Sequence, residues 1–157
     1  MVSTTSPLPP AYLLQAAQAN DLDHLVEVRI AAMRESLERL GRFDPQRARA
    51  RLASGFDAAC TQHIEVAGER VGFVVVKPQE GGWLLDHLYI LPQAQGQGLG
   101  ATVLRDLLAQ ADAAGVAVHV GALAQSASNR FYERHGFVLV EQTALDNYYV
   151  RQANLPT

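Results

Sequence analysis

The stretch 93-QAQGQGLGATVL-104 joins an apolar segment that stops at Pro92 to a second apolar segment that runs to about Ala114. The junction contains four small residues, Gly96, Gly98, Gly100 and Ala101. A strand that enters a helix through glycines leaves backbone N–H groups unpaired, and these groups form an anion site together with the helix dipole. Glycine also lets the backbone approach a ligand closely. The stretch therefore predicts a phosphate-binding turn, or more simply a tight turn with glycines chosen for packing.

Three phosphate-binding patterns can be compared with these glycines. A Walker loop needs Gly-Lys-Ser/Thr, and no lysine or serine follows here. The spacing Gly96-x-Gly98-x-x-Ala101 fits a dinucleotide fingerprint, but the next predicted strand ends in 119-HVGA-122 without the carboxylate that would bind the ribose. The third pattern is Gln/Arg-x-x-Gly-x-Gly/Ala, which Gln95, Gly98 and Gly100 complete.

The composition is that of one globular domain. The chain has 157 residues, of which 48% are hydrophobic and 18% charged. Its net charge is −3, and no run of Lys or Arg is present, which argues against a nucleic-acid surface. The first residues, MVSTTSPLPPAYLL, lack the features of a signal peptide, and no apolar run approaches the roughly 20 residues of a membrane span.

Cysteine usage restricts the chemistry further. Cys60 is the single cysteine, so no internal disulfide can form. No Cys/His cluster has the spacing of metal ligands, and we expect no metal site. The lone cysteine weakly favours a reducing, cytoplasmic setting.

Periodicity and turn signals predict the order of elements. Residues 1–10 are rich in Ser, Thr and Pro and are predicted to be disordered, which leaves 11–157 as the domain. Turns are predicted at Gly68-Glu69 and Gly81-Gly82. The predicted elements are a strand at 12–17, a helix at 22–40, a short helix from Pro45, strands at 62–67, 71–77 and 83–91, a helix at 98–114, a strand at 116–123, a helix at 128–135, and strands at 137–141 and 148–151. This order indicates an α+β fold with mixed strand pairing.

A second motif lies downstream, at 125-QSASNRFYERHGF-137. Phe131, Tyr132 and the pair Gly136-Phe137 match in type and spacing the pattern Asn-x-x-Ala-x-x-Phe-Tyr-x-x-x-Gly-Phe, whereas Gln125 and Ser128 replace its Asn and Ala. With the loop at Gln95, the chain resembles the GCN5-related N-acetyltransferase (GNAT) family in two motifs that occur in the right order. The likeness covers about residues 11 to 151 and is most specific from 83 to 137.

The resemblance implies a single domain with a mixed, mostly antiparallel central sheet flanked by helices. It implies an enzyme that transfers an acetyl group from acetyl-CoA to a primary amine of a small molecule or peptide, directly within a ternary complex. The alternatives are a non-catalytic acyl-CoA-binding regulatory module and, less well supported, a dinucleotide-binding protein. Neither a nucleic acid nor a membrane is an expected partner, and a homodimer is compatible with the sequence.

The resemblance also implies which residues contact the cofactor. In the family, the strand before the glycines has a bulge whose backbone meets the pantetheine arm, which here implies Leu88, Tyr89 and Ile90. One free N–H there would polarise the thioester carbonyl and stabilise the oxyanion of the tetrahedral intermediate. Gln125 and Asn129 are candidate polar contacts, and Phe131 is a further candidate for which a packing role is the simpler interpretation. The pyrophosphate loop would comprise Gln95, Gly96, Gln97, Gly98, Leu99, Gly100 and Ala101.

The same likeness assigns the catalytic groups. Tyr132 matches the family's general acid, and a phenol with a pKa near 10 can protonate a departing thiolate with a reference pKa of about 8.5. The base that receives the proton of the amine is less well defined. Asp86 and His87 are candidates, but neighbours on a regular strand point to opposite faces unless a bulge intervenes. His119 is the only titratable group in the following strand.

The resemblance implies that the first helix pair and the loop after it recognise the substrate, which here corresponds to 33-MRESLERLGRFDPQRARARL-52. The candidates there are Arg34, Glu35, Glu38 and Phe43. Their mixed charges favour neither a strongly acidic nor a strongly basic acceptor.

Overall fold

The computed structural model describes residues 10–154, so the predicted disordered segment lies almost entirely outside the described residues. The division into 1–10 and 11–157 stays a prediction. No helix among the described residues has the length and apolarity needed to cross a membrane. The elements are β1 (Leu13–Ala16), α1 (Leu22–Arg39), α2 (Pro45–Ala53), β2 (Thr61–Val66), β3 (Glu69–Gln79), β4 (Gly82–Ile90), α3 (Leu99–Ala114), β5 (Ala117–Leu123), α4 (Ser128–Arg134), β6 (Val138–Gln142) and β7 (Asp146–Arg151).

The helices begin and end at the residues that helix-capping chemistry favours. The Asp44 side chain accepts hydrogen bonds from the first N–H groups of α2, and Pro45 occupies the first helical position. Gly41 follows α1 with φ 70°, and Gly115 ends α3 with the same value. This left-handed backbone costs glycine little, which is why both helices stop there.

The seven strands form one sheet in the order β1-β2-β3-β4-β5-β7-β6. Every pair is antiparallel except β4–β5, which α3 connects as a crossover. Phe73 packs with α1 and α2 on one face of the sheet, and Val74 packs with α3 and α4 on the other. The predicted α+β class and the mostly antiparallel sheet are confirmed. A doubly wound dinucleotide fold would need a mostly parallel sheet.

The sheet is split in the middle. β4 pairs with β5 only from Gly82 to Leu85, so the rest of β4 has β3 as its only neighbouring strand in the described chain. At the same point β4 carries a bulge, because Val75 pairs with His87 while Val76 pairs with Leu85. Asp86 is the bulge residue, which has no pairing residue in β3. The bulge and the diverging strands together open a gap towards the start of α3.

Two predicted turns lie one residue earlier than expected. In the β2–β3 hairpin the turn residues are Ala67 and Gly68, with φ 53° and 82°, and Glu69 already pairs with Val66. A two-residue hairpin turn matches the twist of its strands when both φ values are positive. In the β3–β4 hairpin, Gly82 pairs with Gln79, so it belongs to the strand.

Candidate functional site

The start of α3 is rich in unpaired backbone donors. Gly96 and Gly98 have φ 81° and 80°, a backbone that most side chains avoid. No side chain caps the helix, and the N–H groups of residues 96–101 donate to no acceptor in the described chain. A Cβ on Gly100 would meet only ordinary contacts, 3.7 Å from Ile90 Cγ1 and 3.8 Å from Phe131 Cζ, so packing alone does not require glycine there. These donors suit a phosphate group.

The side chain of Gln95 holds this loop against the end of β4. Its Nε2 donates to the carbonyl oxygen of Ile90 at 2.8 Å. No Lys or Arg occurs between Lys77 and Arg105, and Arg105 lies one turn inside α3, where it contacts the Thr102 hydroxyl. An anion at this loop would therefore be held by backbone N–H groups and the helix dipole.

A cavity of about 190 Å³ fills the gap between β4 and β5, and we call it the small cavity. Its lining includes the predicted cofactor residues Leu88, Tyr89, Ile90 and Gln95 together with Tyr132. The predicted position of the bulge was wrong. It lies at Asp86, because β3 resumes pairing at His87 and continues regularly through Leu88–Ile90.

Tyr132 reaches the small cavity from α4 with a nearly buried side chain, 7% exposed. Phe131 and Phe137 meet its ring edge-on, with centroids at 5.3 and 5.4 Å. The hydroxyl has no hydrogen-bond partner among residues 10–154. Burial, with a smaller contribution from Tyr89, raises the pKa of Tyr132 above its usual value. The phenol is therefore neutral at ordinary pH, with a proton available to a group in the cavity.

Two predicted cofactor contacts, Asn129 and Phe131, are engaged with other parts of the protein, and a third, Gln125, has an exposed side chain. The Asn129 amide donates to Leu123 O and Ser126 O and accepts from Asn147 and Tyr149, so its polar atoms are occupied by protein. Phe131 packs against the core, and its ring makes a tilted contact with the ring of His135. Gln125 is exposed in a turn with φ 68°, and its backbone carbonyl oxygen accepts a hydrogen bond from Arg39 Nη2 at 3.4 Å. The side-chain amide of Asn was expected to point at a ligand, but partners distant in sequence bind it.

A second cavity of about 610 Å³, the large cavity, lies between the α1–α2 pair and the β6–β7 hairpin. It shares Asp86, His87 and Tyr89 with the small cavity. The bulge explains why neighbours on one strand both reach the site, since the extra residue changes the alternation of side chains. The two cavities therefore meet at the residues predicted as candidate bases.

Asp86 is an ionised carboxylate held by two cations. Its Oδ1 accepts from Arg51 Nη2 at 3.0 Å, and its Oδ2 lies 3.2 Å from Lys77 Nζ. Partial burial acts to raise the pKa of Asp86, but His87, Arg51 and Lys77 outweigh burial and hold the pKa below its usual value. Asp86 is consequently a weak proton acceptor.

His87 is 5% exposed, and its Nδ1 lies 3.3 Å from the Tyr89 hydroxyl. Arg29 Nε donates to the same hydroxyl at 3.3 Å, so the Tyr89 hydroxyl bridges Arg29 and His87. Burial lowers the pKa of His87 to about 4, and the nearby cations act in the same direction, whereas Asp86 opposes them. His87 is therefore neutral at pH 7 and is also a weak base.

The four predicted substrate residues line neither cavity, and their role in substrate binding stays a prediction. Arg34 pairs with Glu38 at 2.9 Å on the exposed face of α1, and its guanidinium lies 4.6 Å from the centre of the Phe43 ring. Glu35 is exposed beside them. The 3.6-residue period of α1 turns a different face, that of Arg29, Met33 and Leu37, to the large cavity.

The sequence interpretation missed the basic residues on one wall of the large cavity, the wall that α1 and α2 form. Arg29, Arg42, Arg47 and Arg51 line the large cavity, and Lys77 pairs with Asp86 at its edge. The i, i+4 spacing of Arg47 and Arg51 in α2 is a signal for one shared face. The direction of that face depends on how α2 packs on α1.

Solved structures of other proteins have the same fold. The PaiA N-acetyltransferase from Thermoplasma acidophilum, in complex with coenzyme A, is 16% identical with a TM-score of 0.69, over 90% of this chain and 99% of that one. An acetyltransferase from Thermus thermophilus is 20% identical with a TM-score of 0.71, over 90% and 97%. The ribosomal-protein-S18-alanine N-acetyltransferase from Escherichia coli is 16% identical with a TM-score of 0.68, over 94% and 97%.

No curated protein sequence matches the chain. The family model of the acetyltransferase (GNAT) domain matches residues 60–139, about half of the chain, and this region contains both β4 and the start of α3. With the split sheet and its unpaired donors, this match shows that the chain belongs to the GNAT acetyltransferase family, as its two motifs predicted.

Proposed function

We propose that this protein is an N-acetyltransferase that transfers the acetyl group of acetyl-CoA directly to a primary amine of a small molecule or peptide. The observation that carries the proposal is that the groups suited to hold and activate acetyl-CoA form one continuous region. Unpaired N–H groups at residues 96–101 directly follow Gln95, which lines the same cavity as the hydroxyl of Tyr132. Acetyl-CoA supplies a thioester at the end of a long arm that begins in a pyrophosphate.

The residues present fit such a cofactor. The loop from Gly96 to Ala101 would hold the pyrophosphate, and the unpaired edge of β4 at Leu88–Ile90 would face the arm. The thioester end then lies near Tyr132. Transfer forms a C–N bond and breaks the C–S bond, and Tyr132 gives its proton to the sulfur as it leaves.

The amine would enter from the large cavity and meet the acetyl group near Asp86 and His87, where the cavities join. Since both groups are weak proton acceptors, we propose that they orient the amine, whose proton leaves directly to solvent in the large cavity. An unprotonated amine is then required, and at pH 7 it is a minor form of an alkylamine with a pKa near 10.4.

Direct transfer is favoured over a covalent enzyme intermediate. Cys60 lies beside a different pocket, and burial raises the pKa of its thiol, which keeps it a poor nucleophile. A cytoplasmic setting and a homodimer remain predictions.

The test measures cofactor binding first and transfer second. Acetyl-CoA at 100 times its Kd should stabilise the fold by about 2.7 kcal/mol, and NAD should not. An amine panel with acetyl-CoA should then release thiol together with an acetylated amine of the expected mass. Binding without transfer to any amine would favour the regulatory module, and equal stabilisation by NAD would contradict the cofactor assignment.

A further inference from the structure

Arg29 is a buried cation without a counter-charge. Its side chain comes from α1 and the residue is 9% exposed. Nη1 donates to Ala48 O at 2.9 Å and Nε donates to the Tyr89 hydroxyl at 3.3 Å, but no carboxylate of residues 10–154 lies within ion-pair distance. Burying a charge is costly unless it is paired, and neutral acceptors compensate only in part. Arg29 lines the large cavity, and its Nη2 donates to no acceptor among residues 10–154.

Two more arginines of the same wall lack a partner. Arg42 and Arg47 line the large cavity and form no ion pair in the described chain. Of the other arginines of these helices, Arg34, Arg49 and Arg51 are ion-paired with Glu38, Asp23 and Asp86, whereas Arg39 donates to a backbone carbonyl. Asp44 also lines the cavity and forms no ion pair in the described chain; its Oδ1 accepts from the N–H groups of Gln46 and Arg47 as the cap of α2.

The opposite wall has the other sign. Glu141 of β6 and Asp146 of β7 line the large cavity, and neither forms an ion pair among the described residues. The cavity therefore holds a surplus of positive charge on its helical side and negative charge on its strand side. A ligand with one anionic group and one amine matches both walls better than a simple amine or a dianion does.

We infer that the acceptor carries an oxyanion group, a carboxylate or a phosphate, which Arg29 binds together with Arg42 and Arg47. The guanidinium of Arg29 is positioned by Ala48 and Tyr89, so its free edge is oriented before the ligand arrives. The Tyr89 hydroxyl links Arg29 to His87, which places the anion site and the site of transfer on opposite sides of one side chain. This inference rests on the proposed function and specifies its substrate class.

The test uses acceptors in matched pairs. Amino acids with a terminal amine and aminoalkyl phosphates, in graded chain lengths, are each compared with the alkylamine of the same length. We expect kcat/KM to be about 10- to 100-fold higher for at least one oxyanion series, the value of a charge-assisted contact. The two series also distinguish carboxylate from phosphate as the natural group.

Arg29→Gln and Arg47→Gln should each raise the KM of the oxyanion acceptor about 10-fold or more, with a smaller change in kcat, and should lower the preference for the oxyanion acceptor over the alkylamine. Arg49→Gln is the matched control on α2, since its partner is Asp23 outside the cavity. If Arg29→Gln does not unfold cooperatively, the variant is not properly folded and its KM is uninformative. The KM of Arg47→Gln, a change at an exposed residue, then decides whether the arginines bind the oxyanion.

An oxyanion series that is no better than its alkylamines in the parent protein would overturn the inference while acetyl transfer stands. If acetyl-CoA binds but no amine is acetylated, the proposed function fails instead. Calorimetry of the unacetylated oxyanion acceptors with CoA present then decides the inference separately: binding that Arg47→Gln weakens supports it, and no binding overturns it.

Discussion

The two ends of the site are built from different kinds of group. At the first, which we call the backbone end, the unpaired donors are backbone N–H groups of one continuous segment, residues 96–101, which follows Gln95 at the small cavity. At the second, the side-chain end, the large cavity is lined by charged side chains from α1, α2, β4, β6 and β7. Backbone donors exist whatever the side chains are, so the first end suits an invariant ligand. The second end can change with single substitutions, as a substrate site must.

The difference also separates the two ends electrostatically. The helix start has no Lys or Arg near it in sequence, whereas the large cavity has four arginines and several carboxylates. We therefore expect ligand binding at the backbone end to respond to backbone geometry, and at the side-chain end to respond to charge, pH and salt.

The largest effect on activity should come from Tyr132, the side chain at the small cavity that would protonate the leaving thiolate. Tyr132→Phe keeps the ring packed between Phe131 and Phe137 and removes the unpaired hydroxyl, so kcat should fall about 10²–10⁴-fold while the KM for acetyl-CoA moves little. Single-turnover measurements exclude a slow product release as the limit. Tyr12→Phe is the control, since that phenol contacts Asp106 outside both cavities. An unchanged single-turnover rate would make Tyr132 a packing residue.

The next effect tests the backbone end directly. Gly98→Val places a branched side chain where φ is 80° and where a phosphate would approach, so CoA affinity should fall at least about 100-fold, or about 2.7 kcal/mol, by calorimetry. Gly68→Val imposes the same strain at φ 82° in a hairpin with open space around it. Both variants should lose stability, and only the first should lose CoA binding. Unchanged affinity in folded Gly98→Val would reduce the loop to a simple turn.

Acid should affect the side-chain end more than the backbone end. Asp86→Asn leaves Arg51 and Lys77 without their carboxylate and should cost about 1–3 kcal/mol of unfolding free energy at pH 7. Because folding lowers the pKa of Asp86, its contribution is present above the ordinary value of about 3.9 and is lost as the pH falls through the lower folded value.

Urea unfolding of the parent and Asp86→Asn at pH 7 and at pH 3 checks this expectation, since the difference between them should shrink in acid. Asp23→Asn is the control, because its pair with Arg49 is exposed and should be worth at most about 1 kcal/mol. A difference of the same size at both pH values would show that the ionised form of Asp86 is not what stabilises the fold.

The smallest effect should come from a side chain at the backbone end. Gln95→Ala removes the hydrogen bond to Ile90 O, worth about 1 kcal/mol, so CoA affinity should fall about fivefold through a looser loop. Gln93→Ala, exposed and without a side-chain hydrogen bond in the described chain, should leave affinity unchanged. A 100-fold loss in Gln95→Ala would mean that its amide touches the cofactor directly and that the contrast between the two ends is weaker than proposed.

The sequence by itself determined the features that depend on neighbouring residues. The helix ends at Gly41 and Gly115 and the open start of α3 follow from backbone preferences at single positions, and all lie close to where they were predicted. The order of strands and helices, the α+β class and the family followed from periodicity and two local motifs, and the structure and the family match confirm them. The role of Tyr132 stays a prediction, although its burial beside the small cavity agrees with it.

Tertiary structure alone decided the features that depend on two distant segments. The bulge at Asp86 exists because β3 pairs on both sides of it, and no residue of β4 taken alone specifies that register. Asn129 was assigned to a ligand, but its amide is bound by Asn147 and Tyr149 from β7. The face of α1 that lines the large cavity was likewise not specified by the sequence, because a helix has several polar faces and only its packing against α2 and the sheet selects Arg29 for the cavity. Local preferences act within a turn or a strand, whereas an acceptor site is formed by side chains that only the complete fold brings together.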